Sequence, residues 1–347
     1  MTGFAIIFRL SISLVCITFG KCLKFAHFMV GNRNPHISSL LPATNQIYQP
    51  ISGIKVHENL IRMEQQTQDK SLSGEMFVYS PEKRLVAFQT GNSRRHIVFI
   101  GGLTDGFMAT NYLVELAAAA NNNDWSLVQV LLSSSYLGYG VSSLEKDSEE
   151  IGELLHYLEK RGATSVVLLG HSTGCQDAVY YMRSPCASPL VKGVVLQAPV
   201  SDREYLATLS TTAGYIQLAE EMRAQGKEGE LLPRSADEAP ISAKRFLSLA
   251  APGGEDDMFS SDLTNDQMKG KLGHMGIPTL IVLSGADEYV PSDVNLDLLL
   301  EKLASAMPGC VNSIIVSNAN HALEGHSEEF VHCVMDFLSC HVIPSNS

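Results

Sequence analysis

Three residues of the types that form hydrolase triads lie far apart in the sequence, each shortly after an apolar run. Ser172 is the centre of a G-x-S-x-G pattern in VVLLGHSTGC, Asp287 lies in LSGADEYVP, and His321 lies in IIVSNANHAL. A serine hydroxyl is a weak nucleophile unless a histidine takes its proton and a carboxylate orients that histidine. The spacing and the order Ser, Asp, His therefore predict a catalytic triad of Ser172, Asp287 and His321.

The sequence offers alternative residues for the carboxylate and for the base. Glu288 is adjacent to Asp287, and Asp202 follows another apolar run, so either could supply the carboxylate from a neighbouring loop. His326 is the main competitor for the base, but it lies five residues further on, in a segment with a helical pattern. We favour His321 because it comes directly after a predicted strand.

The tetrahedral intermediate of acyl transfer needs two backbone donors. The amide of Thr173, the residue after the serine, is the first candidate. The second should come from GGLTDGF, which follows the apolar run in HIVFI. Leu103 has the expected position in that loop, and Thr104 is the alternative.

Patterns for cofactors and metals are missing from the sequence. GGLTDGF lacks the lysine and the serine or threonine of a phosphate-binding loop, and GYGVSS lacks the third glycine of a dinucleotide fingerprint. HExxH and EF-hand patterns are also missing. We therefore predict no cofactor and no metal ion.

The elements that carry these residues alternate between strands and helices. Mostly β-branched apolar runs predict buried strands at Ile97–Ile100, Leu127–Leu132, Val166–Leu169, Gly193–Ala198, Thr279–Leu283 and Ser313–Val316. Helical patterns separate several of them, at Asn111–Ala120, Ser143–Gly162, Val294–Met307 and Ser327–Leu338. This alternation predicts an α/β fold with a mostly parallel, doubly wound sheet. Two earlier runs, Met76–Ser80 and Arg84–Gly91, predict an antiparallel hairpin.

The alternation breaks once, between residues 201 and 275, where the pattern is helical and loop-like. Because ligands bind at the carboxyl ends of parallel strands, an insertion there is expected to cap the pocket. This segment has 13 acidic and 8 basic residues. Such a cap would disfavour polyanionic substrates such as acyl-CoA and favour neutral or cationic esters.

Composition excludes several classes of protein. The chain of 347 residues has a formal charge of -12, which repels nucleic acid and anionic lipid, so neither is an expected partner. Its seven cysteines show no CxxC spacing, which argues against a disulfide framework and a zinc site. We expect most of them to be reduced and buried.

The first 60 residues differ from the rest in charge. Five basic residues and only one acidic residue occur before position 60, and LSISLVCITFG is too short to span a bilayer. We predict a leader at residues 1–60, a hydrolase domain at 61–347 and no stable membrane span. The leader favours a cytoplasmic protein with a flexible extension, with a chloroplast or mitochondrial transit peptide and a secretory signal as alternatives.

Several motifs in order carry a family resemblance. FIGGLTDGF, SSSYLGYGVSSL, LLGHSTGCQD, LQAPVSDREY and DDMFSSDL together resemble the α/β-hydrolase family of unknown function that includes fungal fusarinine C esterases. The resemblance spans about residues 75–338, implies Ser172, Asp287 and His321 as the triad, and implies a cap after APVSDREY. The fungal members cleave siderophore esters, but no residue in this sequence indicates that substrate.

Two functional classes follow from these observations. The first is a serine hydrolase that cleaves a small-molecule carboxylic ester through an acyl-enzyme intermediate. The second is a non-catalytic or slow-turnover small-molecule receptor on the same fold, because a fold does not dictate function. The complete set of predicted triad and oxyanion residues favours the enzyme. The oligomeric state stays open.

Overall fold

The computed structural model describes residues 71–342, and within them eight strands form one sheet. The strands are β1 (Glu75–Ser80), β2 (Leu85–Thr90), β3 (Arg95–Ile100), β4 (Ser126–Val130), β5 (Ser165–His171), β6 (Val191–Gln197), β7 (Thr279–Ser284) and β8 (Cys310–Val316). They follow the order β1-β2-β4-β3-β5-β6-β7-β8 across the sheet. The predicted hairpin of β1 and β2 is antiparallel, β2 pairs antiparallel with β4, and the other neighbours are parallel. The predicted α/β fold with a mostly parallel sheet is confirmed.

Helices cover both faces of the sheet. They are α1 (Tyr112–Asn122), α2 (Leu144–Lys160), α3 (Gly174–Arg183), α8 (Leu296–Ala306) and α9 (Ser327–Phe337), with a 3₁₀ helix at Gly138–Val141. Along β5, Val166 and Leu168 pack into one core cluster, and Val167 and Leu169 pack into the other. Because successive strand side chains point to opposite faces, a continuous apolar run indicates burial on both sides.

Helix α2 shows how the sequence sets a helix. The Ser143 side chain accepts a hydrogen bond from the Lys146 amide, which caps the first turn. Leu144, Ile151, Leu154, Leu155 and Leu158 recur at helical spacing and are buried against the sheet. The helix ends before Gly162, whose positive φ of 89° suits glycine.

The segment between β6 and β7 forms four helices. They are α4 (Asp202–Ala207), α5 (Thr212–Ala224), α6 (Ala243–Ala250) and α7 (Asn265–Leu272). An isolated antiparallel bridge joins Leu231 to Ser242. Helices α5 and α6 share an apolar cluster of their own with Tyr139. The helical, strand-poor pattern read from this stretch thus corresponds to a packed helical layer.

The expectation of mostly buried cysteines is wrong for the five cysteines described. Cys175 on α3 is buried, whereas Cys186 and Cys340 are exposed and Cys310 and Cys333 are half-buried. The four accessible residues lie in a loop, at the chain's last described turn, on the edge strand β8 and on the outer side of α9.

The predicted leader at residues 1–60 lies outside the described residues. Among residues 71–342, none of the helices is both long enough and apolar enough to cross a bilayer.

Acid should destabilise the fold partly through His96 on β3. Burial, aided by the charge of Arg161, lowers the pKa of His96 to about 4. In the unfolded chain His96 binds a proton as the pH falls through about 6.5, whereas in the folded chain it stays neutral until about pH 4. The stability that comes from neutral His96 is therefore complete above pH 6.5 and is lost as the pH falls towards 4. Between pH 7 and pH 5, we expect the free energy of unfolding to fall by about 2 kcal/mol less in His96→Phe than in the wild type.

Denaturant unfolding at the two pH values measures this difference. His156→Phe, at an exposed position of α2, is the matched control for replacing a histidine with phenylalanine. An unchanged pH dependence in His96→Phe would contradict a lowered pKa of His96 in the folded protein.

Candidate active site

Ser172 lies on the sharp turn between β5 and α3. Its φ of 54° is in the left-handed region, which a non-glycine residue adopts only under constraint. Its backbone amide donates to the Gln197 carbonyl at 3.0 Å. A Cβ on Gly174 would lie 2.2 Å from the Ile100 carbonyl oxygen, so only glycine fits there. The serine of the G-x-S-x-G pattern is thus held on a strained turn at the carboxyl end of the central strands.

The loop after β3 lies against this turn. A Cβ on Gly102 would lie 2.6 Å from the Ser172 Cβ, which is too close for a side chain. Glycine at this position therefore lets the loop backbone lie directly against the serine. The Gly102 amide donates to Asp105 Oδ2 at 2.7 Å. Within the described part of the chain, no acceptor binds the amides of Leu103 and Thr173. These two amides therefore remain available to a ligand oxygen.

His321 and Asp287 form a close pair. Asp287 Oδ2 and Oδ1 lie 2.8 and 3.0 Å from His321 Nδ1, and both residues are buried. Asp287 follows β7 and His321 follows β8, which are neighbours in the sheet. A proton on Nδ1 donates to the carboxylate and leaves Nε2 as the acceptor in a neutral ring.

Glu288, the adjacent rival, contacts His321 differently. Its Oε2 accepts a hydrogen bond from the His321 backbone amide at 2.9 Å. Asp287 thus contacts the ring while Glu288 holds the main chain. The sequence placed both carboxylates on the same loop, but it gave no signal for this division of contacts.

The other two rivals lie elsewhere. Asp202 Oδ2 accepts from Gln176 Nε2 at 2.9 Å, and burial raises the pKa of Asp202 to about 7. His326 Nδ1 lies 3.7 Å from Glu329 Oε2, and His326 lines a different cavity from Ser172. Neither residue is hydrogen bonded to the pair formed by His321 and Asp287.

Ser172 and His321 line one cavity of about 510 Å³. The insertion contributes much of its wall, through Asp202, Tyr205, Leu206, Leu209, Ala236, Asp237, Glu238 and Leu249. The loop after β3 contributes Leu103 and Thr104. The structure thus brings together Ser172, His321 and Leu103, which the sequence places far apart, beside residues of the insertion.

His171, which precedes the serine, is buried and contacts Gln197. Its Nδ1 hydrogen bonds to Gln197 Oε1, and its ring centroid lies 4.9 Å from that of His321. Burial, followed by repulsion from His321, lowers the pKa of His171 to about 3, although the bond to Gln197 acts in the opposite direction. His171 is therefore neutral at physiological pH. The sequence analysis did not predict a role for Gln197, because nothing in the sequence pattern around it indicates one.

Within residues 71–342, no group of three or more histidine, cysteine or acidic side chains has the arrangement to hold a metal ion. The lining of the cavity that contains Ser172 includes hydroxyl, imidazole and carboxyl side chains.

The sheet order, the flanking helices and the strained serine turn define an α/β-hydrolase fold. A solved structure, "Siderophore hydrolase EstB from Aspergillus fumigatus", has a TM-score of 0.69 and 30% identity, and the match covers 80% of this chain and 100% of that chain. A second structure, titled "Alpha/Beta hydrolase fold protein of unknown function", has a TM-score of 0.61 and 22% identity, covering 78% of this chain and 97% of that one.

The chain belongs to the family described as "Protein of unknown function (DUF1749)", which matches residues 63–340. It is 32% identical to "Fusarinine C esterase sidJ" of Aspergillus fumigatus, over 70% of this chain and 88% of that protein. It is 30% identical to "Esterase AN6793" of Emericella nidulans, over 70% of this chain and 85% of that protein. The family resemblance read from the sequence motifs is confirmed.

Proposed function

We propose that this protein is a serine hydrolase that cleaves carboxylic esters of small molecules. The observation that carries the proposal is that His321, which is paired with Asp287, lines the same cavity as a serine on a strained turn. The relatives named as esterases support ester hydrolysis as the reaction. Fusarinine C is named as the substrate of one relative only. For this chain we propose a carboxylic ester substrate without naming the compound.

In the first half of the proposed reaction, His321 Nε2 takes the proton of Ser172 Oγ while the oxygen attacks the ester carbonyl. Asp287 holds the Nδ1 hydrogen and stabilises the imidazolium that forms. The carbonyl oxygen becomes an oxyanion and accepts hydrogen bonds from the amides of Leu103 and Thr173. The intermediate then collapses, the bond to the alcohol breaks, and the imidazolium gives its proton to the leaving alcohol.

The second half hydrolyses the acyl-enzyme. His321 takes a proton from water, and the hydroxide oxygen attacks the acyl carbon bound to Ser172 Oγ. The same two amides receive the second oxyanion. Collapse breaks the bond to Oγ, the serine regains its proton from His321, and the carboxylic acid leaves.

An activity panel tests this proposal. We expect the purified protein to hydrolyse 4-nitrophenyl esters of short acyl chains and to label with a fluorophosphonate probe. Thioester and amide analogues of the same chain length measure the preference for the bond type. No hydrolysis and no labelling of the folded protein would instead support the small-molecule receptor on this fold.

The substrate is expected to be neutral or cationic. The cavity lining contains the carboxyl side chains of Asp105, Asp202, Asp237, Glu238 and Glu288, and no lysine or arginine among the residues described. We expect kcat/KM for mono-4-nitrophenyl glutarate to be about tenfold lower than for 4-nitrophenyl butyrate, because the carboxylate is repelled. Steady-state kinetics at low and high salt measures this ratio, which should approach one as salt screens the charges.

The carboxylate of Glu238 has no described partner, so Glu238→Gln should reduce this discrimination. Glu230→Gln removes the same charge from an exposed position of the insertion that does not line the cavity, and serves as the matched control. Faster cleavage of butyryl-CoA than of a neutral ester of equal chain length would contradict the expectation.

We propose in addition that residues 201–275 act as the cap of a hydrolase domain at 61–347. The position of Tyr205, Leu209 and Glu238 in the cavity wall supports this. A leader at residues 1–60 and a cytoplasmic location are further proposals from the sequence, and imaging of the protein with a fluorescent C-terminal fusion tests the location.

A further inference from the structure

Gln197, at the end of β6, is fully buried and contacts three polar groups of the site. Its Oε1 is hydrogen bonded to His171 Nδ1 and accepts from the Tyr112 hydroxyl at 3.2 Å. Its Nε2 donates to the His321 carbonyl at 3.0 Å. One side chain therefore links the histidine before the nucleophile to the loop of the candidate base.

The partners of Gln197 fix its orientation. The His321 carbonyl is an acceptor only, so the NH₂ group must face it and Oε1 must face His171. Since Oε1 is also an acceptor only, His171 Nδ1 must carry the hydrogen. The hydrogen bond therefore fixes a hydrogen on Nδ1, whereas the neutral state of the ring comes from its burial, which lowers the pKa of His171.

The backbone of Gln197 adds contacts to the nucleophile turn. Its carbonyl accepts from the Ser172 amide at 3.0 Å and from the Cys175 thiol at 3.3 Å. The same residue thus touches the main chain of Ser172 and the main chain of His321. No other described contact in the site joins both.

We propose that Gln197 is a positioning residue that fixes His321 relative to Ser172. This rests on the proposed function of the same site. Its bond to the His321 carbonyl limits movement of the base loop. Its bond to His171 Nδ1 fixes the orientation of a ring whose centroid lies 4.9 Å from that of His321.

Removing the amide tests the proposal. Gln197→Leu has similar volume but makes none of the three side-chain hydrogen bonds. We expect kcat on 4-nitrophenyl butyrate to fall about tenfold to a hundredfold while KM changes little, because the geometry of attack is disturbed and binding is not. Gln89→Leu is the matched control, since Gln89 is a buried glutamine on β2 that bonds the Gly91 carbonyl. It should lose stability and keep kcat.

The pH dependence of kcat in Gln197→Glu distinguishes a positioning role from simple packing in the core. A protonated glutamic acid has one O–H to donate to the His321 carbonyl and one oxygen to accept from His171, whereas the carboxylate has no donor. Burial favours the protonated form. We therefore expect the ratio of the variant's kcat to that of the wild type to rise towards one as pH falls from 8 to 5.

The titratable groups that contact position 197 do not obscure this readout. Burial raises the pKa of Tyr112 and of Cys175, and it lowers the pKa of His171 to about 3. In the glutamine protein these groups keep their protonation between pH 5 and 8. His321, whose carbonyl contacts Gln197 Nε2, and its partner Asp287 are present in both proteins, so the ratio compares two proteins that differ only at position 197.

The outcomes separate the two proposals. A wild-type protein without hydrolysis and without Ser172 labelling overturns the proposed function itself. An active wild type with Gln197→Leu at full kcat overturns only the role of Gln197, as does a Gln197→Glu ratio that stays constant with pH. Should the leucine variant fail to fold, the glutamate ratio still decides.

Discussion

Ser172→Ala is expected to reduce kcat for ester hydrolysis by a factor on the order of 10⁴ to 10⁶. Without the hydroxyl no acyl-enzyme can form, and only slow attack by water on a bound ester remains. The substitution removes one atom from a site that backbone contacts hold in place, so the fold should persist. Stopped-flow or steady-state release of 4-nitrophenol measures the loss, and thermal unfolding checks the fold.

Ser165→Ala is the matched control. Ser165 lies on the same strand as Ser172 but at its opposite end, so its loss should leave kcat within about twofold because it contacts none of the site residues. Residual activity of Ser172→Ala above a few per cent of the wild type would show that another group attacks the ester.

Replacing His321 with alanine is expected to lower kcat on the order of 10³ to 10⁶-fold, because no other group takes the serine proton. Asp287→Asn should cost on the order of 10⁴-fold, since an amide can donate to Nδ1 and so hold the wrong tautomer. Burst kinetics with a 4-nitrophenyl ester separates the loss of acylation from the loss of deacylation.

The rivals supply the controls for these variants. His326→Ala removes a histidine that faces another cavity and should stay within about twofold of the wild type. Glu288→Gln keeps an oxygen that can accept from the His321 amide, so we expect a much smaller loss than for Asp287→Asn. A loss in His326→Ala that equals the loss in His321→Ala would reassign the base.

Much of the scaffold could be predicted because its signals are local. The apolar run Val166–Leu169 and the glycines on either side of Ser172 lie close together in the sequence. The run is buried on both faces of a parallel sheet, and the cramped turn needs glycine at position 174. The positions of Asp287 and His321 after two strands follow from the rule that carboxyl ends meet at one edge.

The contacts that orient the site could not be read in this way. Gln197 and His321 are 124 residues apart in sequence, and their bond depends on how β6 and the loop after β8 pack together. Asp287 and Glu288 have the same chemistry on neighbouring positions, so only the backbone path decides which one reaches the ring. A buried glutamine at the end of a strand gives no pattern that distinguishes it from ordinary core packing.

Some boundaries and burial expectations also depended on tertiary structure. The strand predicted over Leu127–Leu132 ends at Val130, which is also the last residue of β4 in register with β2. The predicted strand Ser313–Val316 begins earlier, at Cys310, where pairing with β7 extends it. Cysteine type alone predicted burial, but four of the five described cysteines lie at accessible positions.

The most direct measurement of an activated serine is the site of covalent attachment. The wild-type protein and its His321→Ala variant should be treated with a fluorophosphonate, digested and mapped by mass spectrometry. We predict one phosphonylated residue in the wild type, Ser172, and loss of that adduct in the variant. An adduct on a different residue, or equal labelling of Ser172 without the histidine, would contradict a nucleophile activated by His321.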